Sequence, residues 1–199
     1  MGCHLFTRNS VGRTMAFLSR SRLLDLGFRA VGEDVAISDA ARFYNARFIE
    51  IADHVRIDDF CILSAGAGGI RIGRHVHIGC YASLIGKEKI TLEDFSGLSG
   101  RVSVYSSNDD YSGEWLTNPT VLEELRNPTH GPVRIGRHAI IGSGAVILPG
   151  VTIGEGAAVG ALTLVARDLD AFTINFGVPA RKVGKRKRDL LALEPRLKD

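Results

Sequence analysis

The densest group of side chains able to bind a polar ligand or move a proton is the run Ser106-Ser107-Asn108-Asp109-Asp110, with His130 further along the same stretch. That stretch, Tyr105 to Pro132, holds the only tryptophan, Trp115, and two of the four tyrosines. Carboxylates, an amide and an imidazole in one segment can hold a hydroxyl- or amine-bearing molecule and accept its proton. A small domain seldom keeps so long an irregular stretch without a use, so His130 is a candidate catalytic residue. Three other histidines, His54, His75 and His138, share one place in a repeated pattern, two of them within the same tetrapeptide, IGRH. They read either as a ladder of exposed turns or as a three-histidine zinc set. His77 falls at the end of its repeat, facing solvent or a subunit boundary. The basic run Arg181-Lys182 and Lys185 to Arg188 reads as a solvated helix end or as an attractor for a phosphorylated ligand.

The elements that must carry these residues follow a six-residue beat. Aliphatic residues recur at Ile135, Ile141, Ile147, Ile153, Val159 and Val165, with small or β-branched residues four positions later at Ala139, Ala145, Val151, Ala157 and Thr163. No helical period gives a spacing of six. The beat extends back through Val31, Ile37, Phe43; Ile51, Ile57, Leu63; Ile72, Ile78, Leu84; and Leu92, Leu98, Val104. Grouped in threes, these starts predict a β-solenoid of about six coils over residues 31–180. Extra residues enter only after the third start of a coil, so every insertion leaves from one edge of a three-sided prism, the longest being 105–132. Each coil buries its interior only against its neighbours, which makes stacking the source of stability. The 23 glycines, without a collagen-like triplet, fit many tight turns. Helices are expected over about Val11 to Phe28, within an N-terminal segment 1–30, and over about Arg181 to Leu193, within a C-terminal segment 181–199.

A net charge of +3 is too small to argue for nucleic acid, and no apolar run approaches the ~20 residues of a membrane span. The N-terminal arginines lack the apolar stretch and cleavage site of a secretory signal. Cys3, Cys61 and Cys80 have neither metal nor redox spacing, so reduced thiols and a cytoplasmic protein are expected.

These features together resemble the hexapeptide-repeat acyltransferases, in particular the galactoside and maltose O-acetyltransferases and their relatives acting on bacterial surface sugars. The residues that carry the resemblance are PVRIGRHAIIGSGAVILPGVTIGEGAAVGA, from Pro132 to Ala161, and GVPAR, from Gly177 to Arg181. The resemblance implies a left-handed parallel β-helix, a homotrimer with sites between subunits, and acetyl-CoA as co-substrate with no metal. It places Ser143 and Ala161 beside the pantetheine, and Ala166, Arg167 and Arg181 near the nucleotide, where guanidinium forks suit phosphate oxygens. Ala166 departs from the threonine common in the family. Counted ungapped from Leu98, the loop histidine that serves as general base in the galactoside branch is replaced by Asp109. An ordinary carboxylate is a weak base toward a hydroxyl unless desolvation or Asp110 strengthens it.

Three readings follow: Asp109 or Asp110 is the base, His130 is the base, or the carboxylates bind the acceptor. Asn108, Asp109, Asp110 and His130, with Trp115, are therefore expected to form the acceptor site. The acceptor is a sugar or a nucleotide-linked amino sugar, its product destined for surface polysaccharide such as O-antigen or capsule. The amino sugar suits a site without a well-placed histidine, because its proton can leave after attack. Two rivals stand beside this. One is a γ-class carbonic anhydrase-like zinc enzyme built on His54, His75 and His138, with Phe95 intervening on the coil between the last two. The other is a non-catalytic scaffold or CoA-binding module.

Overall fold

The computed structural model describes residues 16–197, so the first part of the expected N-terminal helix, with Cys3 and His4, lies outside the described residues. The six-residue beat becomes three parallel sheets, one on each face of a left-handed β-helix. On the second face Ile37, Ile57, Ile78, Leu98, Ile141 and Val159 stand in register, coil upon coil, and none exceeds 3% exposure. Matching columns run Val31 to Ile153 on the first face and Phe43 to Val165 on the third. The residue four places after most starts, such as Ala139, Ala145 and Ala157, is also buried, at the crowded turn into the next face. Parallel strands spaced ~4.8 Å apart let one side chain per coil stack on its counterpart, and a six-residue spacing alone meets that requirement.

Six complete coils are followed by a partial seventh, in which Leu169 bridges to Ile153 and Thr173–Phe176 pairs with Ala158–Val159. The column on the second face ends there on a polar residue: Asn175, 2% exposed, donates to the Thr173 hydroxyl at 2.9 Å. The basic run differs from the helical expectation. Arg181–Lys185 is a strand antiparallel to Thr173–Phe176, and the remaining tail forms only 3-10 turns at Asp189–Ala192 and Glu194–Arg196. The last coil presents unpaired backbone groups, and pairing a strand to that edge satisfies more of them than a basic helix would. At the other end, among the described residues, the expected helix covers Arg20–Asp25, capped by Ser19, with Leu23 1% exposed over the open core. No helix among the described residues is long and apolar enough to cross a membrane.

The first edge carries a column of left-handed residues, among them His54, His75, Phe95, His138 and Phe172, with φ between 53° and 60°. The rings of His54, His75, Phe95 and His138 stack at centroid separations of 4.6, 4.8 and 4.9 Å. Aromatic stacking, worth roughly 0.5–1.5 kcal/mol per pair, offsets the strain of these turns. The histidines thus form a stacked column interrupted by a phenylalanine, with near-parallel rings that do not converge on one point. This geometry disfavours the zinc reading.

The column ends on Glu194, whose carboxylate contacts His138 Nε2 at 2.8 Å and pairs with Arg137. Burial first, and then the Arg137 guanidinium, hold the His138 imidazole below its usual value of 6.5. Glu194 therefore accepts a hydrogen bond from a neutral ring. The unfolded chain protonates this histidine at a higher pH than the folded one, so stability falls as pH drops below about 6.5. His138→Phe, which extends the ring column, is expected to flatten the fall in melting temperature between about pH 7 and 5. An unchanged slope would show that other groups carry it.

Candidate functional site

Two concave regions flank the short strand Leu164–Val165. On the third edge a pocket of about 360 Å³ is lined by Ala166, Arg167, Arg181 and Lys182, with Thr173 and Asn175 behind them. It is cationic but balanced, since Asp168 and Asp170 also line it and Lys182 pairs with Asp170 at 3.3 Å. Arg167 and Arg181 both expose their side chains here, as a phosphate-binding wall requires. Ala180 donates its backbone N–H to the Leu164 carbonyl at 2.8 Å, which ties the G-x-P-A-R segment to the last full coil.

On the second edge lie Ser143 and Ala161, both exposed and one coil apart. Ser143 donates its hydroxyl to the Gly100 carbonyl at 2.7 Å. That bond joins it to a groove of about 370 Å³ on the preceding coils, lined by Asp58, His77, Cys80, Gly97, Ser99 and Gly100 among others. The groove has a charged end. His77 Nε2 lies 2.8 Å from Asp58 Oδ2, and Arg56 Nε donates to Asp58 Oδ1 at 2.7 Å. The Asp58 side chain is only 13% exposed, whereas that of His77 is 54% exposed. Burial alone would raise the Asp58 pKa, but hydrogen bonds from Arg56 and His77 outweigh it and hold the carboxylate below its ordinary range.

The long excursion is rooted on the third edge. Ser107–Asn108 pairs antiparallel with Thr129–His130, and Gly131 N–H closes on the Ser106 carbonyl at 3.1 Å. His130 Nδ1 meets the Ser107 hydroxyl at 2.9 Å. Asp110 turns back on its own chain, accepting from the Ser112 hydroxyl at 2.6 Å and from the Ser112 N–H at 2.8 Å. Those bonds hold its carboxyl below the usual carboxylate range, which makes it a poorer proton acceptor than an ordinary aspartate. Asp109 beside it is exposed, and Trp115 is 42% exposed at the far part of the loop.

Comparison with known proteins gives this surface a chemical context. Residues 132–167 match the family model described as bacterial transferase hexapeptide (six repeats). The dTDP-4-amino-4,6-dideoxy-D-glucose acyltransferase of Escherichia coli is 51% identical over 180 residues, covering 90% of this chain and 94% of that protein. The chain belongs to the hexapeptide-repeat acyltransferases. Among solved structures similar to this acyltransferase is AntD, an N-acyltransferase from Bacillus cereus, in complex with dTDP and 3-hydroxybutyryl-CoA. It is 43% identical, with a TM-score of 0.89, over 92% of this chain and 96% of that one. A variant of AntD in complex with dTDP-4-amino-4,6-dideoxyglucose and coenzyme A superposes with a TM-score of 0.87 at 43% identity, over 90% and 95% of the two chains.

Within the acyltransferase chain the expected site residues fall into three places. Ala166, Arg167 and Arg181 line one pocket. Ser143 and Ala161 stand across the strand on the second edge, in continuity with the Asp58–His77 groove. Asn108, Asp109, Asp110, Trp115 and His130 belong to the excursion on the third edge, a full face away from that groove. The sequence reading missed the Asp58–His77 pair. Its signal was present in the repeat: the three residues inserted after Leu63 put Arg56 opposite His77 in the parallel register, and Asp58 two residues along.

Proposed function

We propose that this protein transfers an acetyl group from acetyl-CoA to the amino group of a dTDP-linked 4-amino-4,6-dideoxy sugar. The observation that carries this is a cationic pocket on the third edge and, across the strand Leu164–Val165, a track of small residues on the second edge that runs to a charged end. Together they provide a phosphate wall at Arg167 and Arg181, an uncharged track at Ala161 and Ser143, and a proton-handling end at Asp58 and His77. Similarity over nine-tenths of the chain to an acyltransferase that bears that sugar in its name, and to one solved in complex with it, supports the choice of acceptor.

The excursion that carries the acceptor carboxylates sits on a different edge from the track. A complete site therefore brings the loop of one copy against the groove of another, as a homotrimer with sites between subunits would. Solved forms of AntD include substitutions at a serine and at an aspartate ten positions further along. Ser99 and Asp109 are the one serine–aspartate pair with that spacing in this sequence, which supports placing both at the acceptor. Asp109 accepts a hydrogen bond from the amino group. Asn108 and Trp115 contribute sugar contacts, and His130 orients the loop through Ser107. An amine needs less help than a hydroxyl to attack a thioester, so a carboxylate in the place of a histidine suits it. The nucleotide keeps the acylated sugar activated, so a glycosyl transfer into a surface glycan is the class of reaction that consumes the product.

Purified protein mixed with acetyl-CoA and dTDP-4-amino-4,6-dideoxyglucose is expected to release free CoA thiol and form the amide. 3-Hydroxybutyryl-CoA and a hydroxyl sugar serve as competing donor and acceptor. Thiol release with the hydroxyl sugar alone would reassign the reaction to O-transfer. Acetyl-CoA binding without release for any acceptor would leave a CoA-binding module.

A further inference from the structure

We propose that His77 and Asp58 are the proton-transfer pair of the acceptor site, His77 taking the proton that leaves the sugar's nitrogen; this rests on the acyltransferase reading above. In the site between copies proposed above, a CoA whose nucleotide sits at Arg167 and Arg181 of one copy, and whose pantetheine passes Ala161 and Ser143 of its neighbour, delivers its thioester toward Ser99 and Gly100 of that neighbour. The imidazole lies one coil further, ~4.8 Å along the stack. His77 pairs in register with Gly97, where an added Cβ would meet nothing within 4 Å, so the space over the imidazole is open.

The pair has the form of a base and the group that orients it. With Nε2–H donated to the ionised Asp58, the proton-accepting nitrogen of neutral His77 is Nδ1. The preceding coil faces His77 with Asp58 and Arg56, its own coil adds the Cys80 thiol, and the following coil contributes Gly97, Ser99 and Gly100 without a charge. The free amine attacks the thioester carbonyl carbon, the C–N bond forms and the C–S bond breaks. The nitrogen's proton passes to Nδ1, and the imidazolium returns it to the departing thiolate, so CoA leaves as the thiol.

The test uses the full chain with acetyl-CoA and dTDP-4-amino-4,6-dideoxyglucose over about pH 5.5 to 9. His77→Gln is expected to lower kcat roughly 100-fold with the KM for acetyl-CoA unchanged. The acid-side slope of log kcat/KM should fall from about two to about one, the remainder being the acceptor's own ammonium ionisation. Asp58 is a positioning residue. Asp58→Asn should shift the acid limb to lower pH, because removing a neighbouring carboxylate disfavours the imidazolium. A His77→Gln protein that melts and binds CoA like its parent, yet keeps the parental kcat and slope, overturns the pair and leaves the acyltransferase intact. A parent protein that binds acetyl-CoA but acylates no amino sugar overturns both.

Discussion

Gly86→Val is expected to cost at least about 3 kcal/mol and to leave little folded protein. Gly86 ends the strand Ser83–Gly86 with φ +149°, a region that L side chains rarely adopt. A Cβ there would lie 2.8 Å from the Ser106 backbone nitrogen and 2.9 Å from its carbonyl carbon. Ser106 cannot retreat: it is fully buried, and its hydroxyl donates to the Glu88 carbonyl at 2.8 Å. The substitution therefore strains its own backbone and pushes on the root of the excursion. Gly184→Ala, whose nearest neighbour would be a methyl group 3.9 Å away, should stay within about 1 kcal/mol. Thermal unfolding followed by circular dichroism compares the two. Equal melting temperatures would refute the steric account.

Asp109→Asn should lower kcat/KM for the amino sugar roughly 30- to 100-fold while the affinity for acetyl-CoA is unchanged. Replacing a carboxylate that accepts a hydrogen bond from the amine by a neutral amide costs about 2–3 kcal/mol, and each 1.4 kcal/mol is about tenfold. The amide keeps the size and the accepting oxygen of the carboxylate, so the experiment isolates charge. Asp109 is exposed on the excursion, and the change should not move the melting temperature. Parental kcat/KM in the Asp109→Asn protein would remove Asp109 from the acceptor site and move that role to another residue of the loop.

Most of the fold could be read from the chain because burial in a coil allows one answer per hexapeptide. The starts at Ile37, Ile57, Ile78, Leu98, Ile141 and Val159 form one observed column, and the insertions after Phe43, Leu63, Leu84 and Val104 all leave from the third edge. The same arithmetic placed Phe95 between His75 and His138. Reading failed where the beat stops. After Val165 the seventh turn puts Asn175 where an aliphatic residue would belong, and the charged run Arg181–Lys185 becomes a strand to satisfy the open edge.

The site was only half readable for a related reason. Arg167 and Arg181 announce themselves by residue type, and the structure puts both on one pocket wall. His77 and Asp58 are ordinary surface residues until the coil register makes them neighbours. The Asp110 side chain accepts two hydrogen bonds from Ser112 in a local turn, a pairing that the spacing of the repeat does not announce.

The ends of the excursion are joined by the Gly131–Ser106 backbone hydrogen bond and the short antiparallel pairing beside it, and the columns of the prism pass beneath without a missing layer. Whatever lies between those ends can be exchanged for another sequence while the solenoid keeps its shape. The acceptor contacts proposed for the excursion are thus a detachable module, which a lineage or an engineer can rewrite without renegotiating the coils that hold the donor.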